Sequence, residues 1–115
     1  MKKYALFVFN GDPVCFIHVL LNALDLNEKG HGAGIVVEGS ATGLIPELAE
    51  ENHPLHKLWT RVREKGFVLG VCRACSRKMG TLEDAEKQGL SLLEDMSGHP
   101  GMAAYIEKGY EVITF

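Results

Sequence analysis

The stretch FVLGVCRACSRKMG, residues 67–80, changes character in its middle. Phe67 to Val71 is an apolar run with the length and composition of a buried strand. Arg73 to Met79 then reads as a short helix closed by Gly80. Cys72 stands at the junction, and Cys75 follows at Cys-x-x-Cys spacing. A strand that delivers a side chain at its carboxyl end and passes directly into a helix is half of a βα unit, so the question is whether the rest of the chain repeats the pattern.

It does. YALFVF (4–9) is a near-continuous apolar run ending in Asn10-Gly11-Asp12-Pro13, a turn in which Pro13 suits the first position of a helix. Residues 14–28 are apolar almost all round, with His18, Asn22, Asp25 and Lys29 forming one narrow polar stripe. Such a helix is expected to be buried on more than one side, which in a short chain points to a subunit interface. AGIVVEG (33–39) reads as a second buried strand, followed by the loop GSATG (39–43) and a short acidic helical segment around Pro46 to Glu51. From Pro54, residues Leu55, Leu58, Trp59 and Val62 recur at helical spacing until Gly66. Thr81 and Asp84 are placed to cap a further short helix. LSLLED (90–95) is a weak strand, Pro100 opens a last helix, and YEVITF (110–115) is the final strand.

Strands that are apolar rather than alternating, separated by helices, predict an α/β fold: a mainly parallel five-stranded sheet covered on both faces, with right-handed crossovers. Ligands in such sheets bind beyond the carboxyl ends of the strands. That rim gathers Asn10 to Asp12, Gly39 to Gly43, Cys72 to Ser76 and Asp95 to His99.

With 115 residues the chain is read as a single domain, 1–115, able to bury a core without staples. A net charge of −3 offers no general attraction to nucleic acid, and no apolar run approaches a membrane span. Three cysteines cannot all pair within the chain, and nothing marks it for export. A cytosolic location follows, where Cys-x-x-Cys means redox, sulfur or metal chemistry before it means structure.

Nucleotide chemistry finds no support. GHGAG (30–34) precedes a strand instead of following one, and no Walker-type sequence occurs. At the cysteines, a helix N-terminus together with Arg73, Arg77 and Lys78 is expected to lower the pKa of Cys72 and favour its thiolate. Cys75, about one turn on, is placed to resolve a mixed disulfide or persulfide on Cys72. Cys15, beside Phe16 and Ile17, is read as core packing. Zinc would need four ligands where this pair supplies two, and His53, His56 and His99 show no ligand spacing that completes the set. No cofactor is therefore assigned, with zinc the alternative. His53 and His56 are read as a polar turn at a helix start. His99 is read as a solvated residue before a helix, or as a group that orients or protonates a substrate. Asp12 is either a turn residue or a support for the thiol loop.

The ordered set YALFVFNGDP, GAGIVVEGSATGLI, GVCRACSRKMG and GMAAYIEKGYEVITF resembles the DsrE/DsrF-like family over nearly the whole chain. The resemblance implies a flavodoxin-like three-layer αβα sandwich that assembles as a homotrimer or homohexamer. It also implies that Cys72 occupies the position that carries sulfur as a persulfide in the family's relay members. Cys75 departs from their single-cysteine pattern and leaves a dithiol–disulfide cycle open. The leading expectation is a cytosolic, sulfurtransferase-like sulfur carrier or thiol-exchange protein with a sulfur donor or acceptor protein as partner. Cys72 would be carrier or nucleophile and Cys75 resolving or auxiliary, with Arg73, Ser76, Arg77, Lys78, Asp12 and His99 as substrate- or anion-binding candidates. Two other readings stand: a non-catalytic oligomeric binding module with structural cysteines, and a redox or zinc switch.

Overall fold

The computed structural model describes all 115 residues. Five strands, β1 (Lys3–Val8), β2 (Gly32–Val37), β3 (Val68–Cys72), β4 (Leu92–Leu93) and β5 (Tyr110–Thr114), alternate with six helices. These are α1 (Pro13–Glu28), α2 (Ile45–Leu48), α3 (His56–Glu64), α4 (Arg73–Lys78), α5 (Leu82–Lys87) and α6 (Met102–Glu107). The strand order is β4-β3-β2-β1-β5, and every neighbouring pair is parallel. The expected mainly parallel sheet is thus wholly parallel. β4, an edge strand flanked by exposed Ser91 and Glu94, shrinks to two residues.

The apolar strand composition is explained by cover on both faces. Leu6, Val8, Ile35 and Val37 point into the main core with Phe16, Val19, Leu20 and Ala23 of α1 and Trp59 and Val62 of α3. Ala5, Phe7 and Val36 point the other way, against Leu69, Leu93, Val112 and Tyr105 of α6. The layers are unequal, because α6 is short and has no fully buried residue.

α1 begins as its sequence requires: Pro13 takes the first turn and Asp12 Oδ1 accepts from the Val14 N–H at 2.9 Å. Within one chain it is buried along one side, leaving Val14 72% and Leu21 45% exposed. α3 starts at His56, two residues later than its spacing suggests. His53 Nδ1 accepts from the Leu55 N–H at 3.1 Å, and His56 Nδ1 lies 2.9 Å from the Leu48 carbonyl oxygen, so both rings fasten the polar turn before α3. The Trp59 indole N–H donates to Gln88, whose amide donates to the Ile45 carbonyl, tying α3 to α2.

The helices and turns that carry the rim are set by close approaches. Gly70 lies where a Cβ would come within 2.7 Å of the Ser91 carbonyl oxygen, so only glycine lets β4 run this close to β3. The Thr81 hydroxyl donates to the Thr42 carbonyl at 3.0 Å, joining the start of α5 to the 3₁₀ turn Gly39–Leu44 that follows β2. From β4, residues 94–101 cross back over the carboxyl end of β3 to reach α6 on the opposite face. That crossing brings the fourth loop onto the first cysteine of the pair.

Candidate functional site: two thiols, a histidine and a buried glutamate

Cys72 is both the last residue of β3 and the N-cap of α4. Its backbone is extended, and its Sγ accepts from the Cys75 N–H at 3.4 Å. Cys75 follows on the first turn and is half-buried, while Cys72 is fully buried. Above them, Met96 and His99 pair across a tight reversal, with backbone bonds of 2.7 and 2.9 Å. Ser97 (φ 50°) and Gly98 (φ 92°) form its tip, the positive-φ pair that a two-residue primed turn needs. The Gly98 carbonyl accepts from the Ala74 N–H at 2.9 Å, clamping the reversal onto α4.

The clamp places His99 Nδ1 3.1 Å from Cys72 Sγ and 3.6 Å from Cys75 Sγ. A carboxylate completes the group: Glu38 Oε1, just past β2, lies 3.8 Å from the same ring nitrogen. Glu38 is only 7% exposed and makes no ion pair with lysine or arginine. It was not singled out from the sequence, although one acidic residue closing the apolar run GIVVEG is a visible signal. A strand end carries such a residue into the interior only with a reason.

The expected lowering of the Cys72 pKa is overturned. Burial, the largest cause, pushes the thiol up to about 12, against an ordinary value of 9.0. The Cys75 N–H pulls it back, and the Cys75 side chain and Glu38 carboxylate push it further up. The basic flank does not compensate, because its charges lie elsewhere. Arg73 pairs with Glu94 at 3.0 Å, and Arg77 and Lys78 are exposed on the last turn of α4. A six-residue helix with solvated cations does not outweigh the loss of water around a sulfur at the sheet's end.

The remaining candidates divide. Arg73 and Arg77 line a cleft with Ala74, Glu94, Ser97 and Gly98, beside the thiols. Ser76 is fully buried, and its hydroxyl has no hydrogen-bond partner. Asp12 serves α1 as its cap and lines a separate cavity with Asn10, Gly11 and Ser40. Cys15, expected in the core, is half-buried at the start of α1, where the Asn10 amide faces its sulfur at 3.5 Å.

The family model of the DsrE/DsrF-like family matches residues 6–115, from β1 through β5 and across every element that builds this site. The chain belongs to the DsrE/DsrF-like family. Among curated relatives, an uncharacterized protein of Methanocaldococcus jannaschii is 37% identical over 97 residues, covering 84% of this chain and 77% of that protein. An uncharacterized protein of Archaeoglobus fulgidus is 43% identical over 49 residues, covering 43% of this chain and 80% of its own length. No solved structure gives a significant match. Two thiols share one imidazole nitrogen at a strand end, with no helix long and apolar enough to cross a membrane.

Proposed function

We propose that the protein is a cytosolic sulfur carrier or thiol-exchange protein working at Cys72 and Cys75. Cys72 accepts sulfur as a persulfide or acts as the exchange nucleophile, and Cys75 is the auxiliary thiol that resolves it. The observation that carries this reading is the approach of His99 Nδ1 to both sulfurs, at 3.1 and 3.6 Å. A thiolate is the nucleophile in both chemistries, and a buried thiol needs a base at hand to become one.

In loading, the Cys72 proton passes to His99 and the thiolate attacks the outer sulfur of a donor persulfide. The donor leaves as a thiolate and takes up the proton, so sulfur moves without net oxidation. Attack by Cys75 on the Cys72 sulfur of that persulfide expels hydrosulfide and closes a disulfide. Attack by an acceptor protein's thiolate on the outer sulfur instead passes the sulfur on. The Arg73 and Arg77 cleft gives an anionic donor or acceptor a place beside the pair. Exposed Val14 and Leu21 on α1 support assembly into a homotrimer or homohexamer.

Intact mass of the reduced protein after exposure to a small persulfide donor tests the reading. A gain of one sulfur atom, reversed by reductant, or a loss of two hydrogens is the expected result. An unchanged mass in both conditions overturns it.

A further inference from the structure

A nucleophile–histidine–carboxylate triad uses the two nitrogens of an imidazole on different partners, one toward the nucleophile and one toward the orienting carboxylate. This site does not. Cys72 Sγ, Cys75 Sγ and Glu38 Oε1 all face the same Nδ1, at 3.1, 3.6 and 3.8 Å, and the four atoms lie within 4.8 Å of one another. One ring nitrogen makes a single in-plane hydrogen bond, so it cannot serve two thiols and a carboxylate at once. A carboxylate that is 7% exposed and has no lysine or arginine partner has only the imidazole nearby to offset its charge, which a bound cation would offset directly.

We propose that Glu38, Cys72, Cys75 and His99 form a binding site for a zinc-like, tetrahedral divalent cation. Bond lengths of about 2.3 Å to sulfur and 2.0–2.2 Å to nitrogen and oxygen set ligand-to-ligand separations of roughly 3.3–3.8 Å around a tetrahedron. The observed separations straddle that range, so closure needs side-chain adjustments on the order of an ångström. Two thiolates and an imidazole select a borderline-soft ion over calcium or magnesium. Binding releases the two thiol protons and involves no change of oxidation state. The resulting site carries two thiolates and a carboxylate against two positive charges, and the Cys75 N–H stabilises the excess at Cys72 Sγ.

The ligands come from three separate segments: the end of β2, the β3–α4 junction and the 94–101 crossing. Sequence spacing therefore shows only the Cys-x-x-Cys half. The inference goes beyond the sulfur reading and does not rest on it. The two are linked by competition, since thiolates held by the metal are withdrawn from sulfur transfer.

Cobalt titration of the whole chain, reduced and freed of metal by chelator, tests the site. One cobalt per chain is expected, with an intense near-ultraviolet thiolate-to-cobalt band and the visible bands of a tetrahedral ion, both abolished by added zinc. Cys75→Ser should lose at least about half of the charge-transfer intensity, since one of the two thiolates is gone. Glu38→Gln, nearly isosteric, should weaken binding at least about tenfold, and Cys15→Ser should change nothing. Absence of the thiolate-to-cobalt band in the wild type overturns the proposal. So does equal affinity in Glu38→Gln, His99→Ala and the wild type. Persulfide loading of the same metal-free protein is scored separately, so failure of the metal site and failure of sulfur handling give different results.

Discussion

Replacing His99 by alanine is expected to slow sulfur loading of the metal-free protein roughly 100-fold or more at neutral pH, with the fold unchanged. With its thiol pushed up to about 12, Cys72 alone is overwhelmingly protonated at pH 7. Its reactivity then depends on a base within reach, and Nδ1 at 3.1 Å is that base. Without the ring, the rate should climb about tenfold per pH unit from neutral into the alkaline range, because hydroxide must do what the imidazole did. The wild-type profile should be shallower. His99 is half-exposed on a crossing loop held by backbone bonds, so its loss leaves the core intact. Stopped-flow loading with a small persulfide donor measures both features. A variant within a few-fold of the wild type, with a parallel pH profile, would show that the ring is no base.

Cys72 also gives the protein a distinct alkaline weakness. The folded chain holds the Cys72 proton up to about pH 12, whereas the unfolded chain releases it near 9.0. The stabilisation is therefore complete below about pH 9 and is lost as pH rises towards 12. Each unit in that window costs on the order of 1 kcal/mol. Urea unfolding of the wild type and Cys72→Ala between about pH 8 and pH 11, reduced and metal-free, isolates this contribution. The cavity left by the smaller side chain lowers stability by the same amount at every pH. Tyr105, whose phenol is also raised by burial, titrates in both proteins and cancels in the difference. Curves that converge as pH rises are expected; parallel curves would mean that Cys72 is not held protonated by burial.

The order of strands and helices was legible because each β-element is an apolar run ended by a turn residue. The rim position of Cys72 followed from the same pattern. Three things were not legible, for one physical reason: they depend on segments far apart in sequence. Glu38 joins the site only because β2 and β3 lie side by side. The sequence places His99 on the rim as a substrate-binding candidate, but its approach to both sulfurs is not legible there, because nothing in Asp95–Pro100 says that Ala74 will clamp the reversal. The direction of the Cys72 shift was misjudged because a local count of cations cannot weigh the burial that tertiary packing imposes. Arg73, Arg77 and Lys78 are near in sequence, yet they face Glu94 and solvent instead of the sulfur.

The central claim is that sulfur is carried at Cys72 and resolved by Cys75. Intact mass of Cys72→Ser and Cys75→Ser, each metal-free and treated with the same persulfide donor, tests it most directly. Cys75→Ser should retain one added sulfur, because no second thiol is present to expel it, and Cys72→Ser should retain none. Equal loading of the two variants, or loading of Cys72→Ser alone, would contradict the account.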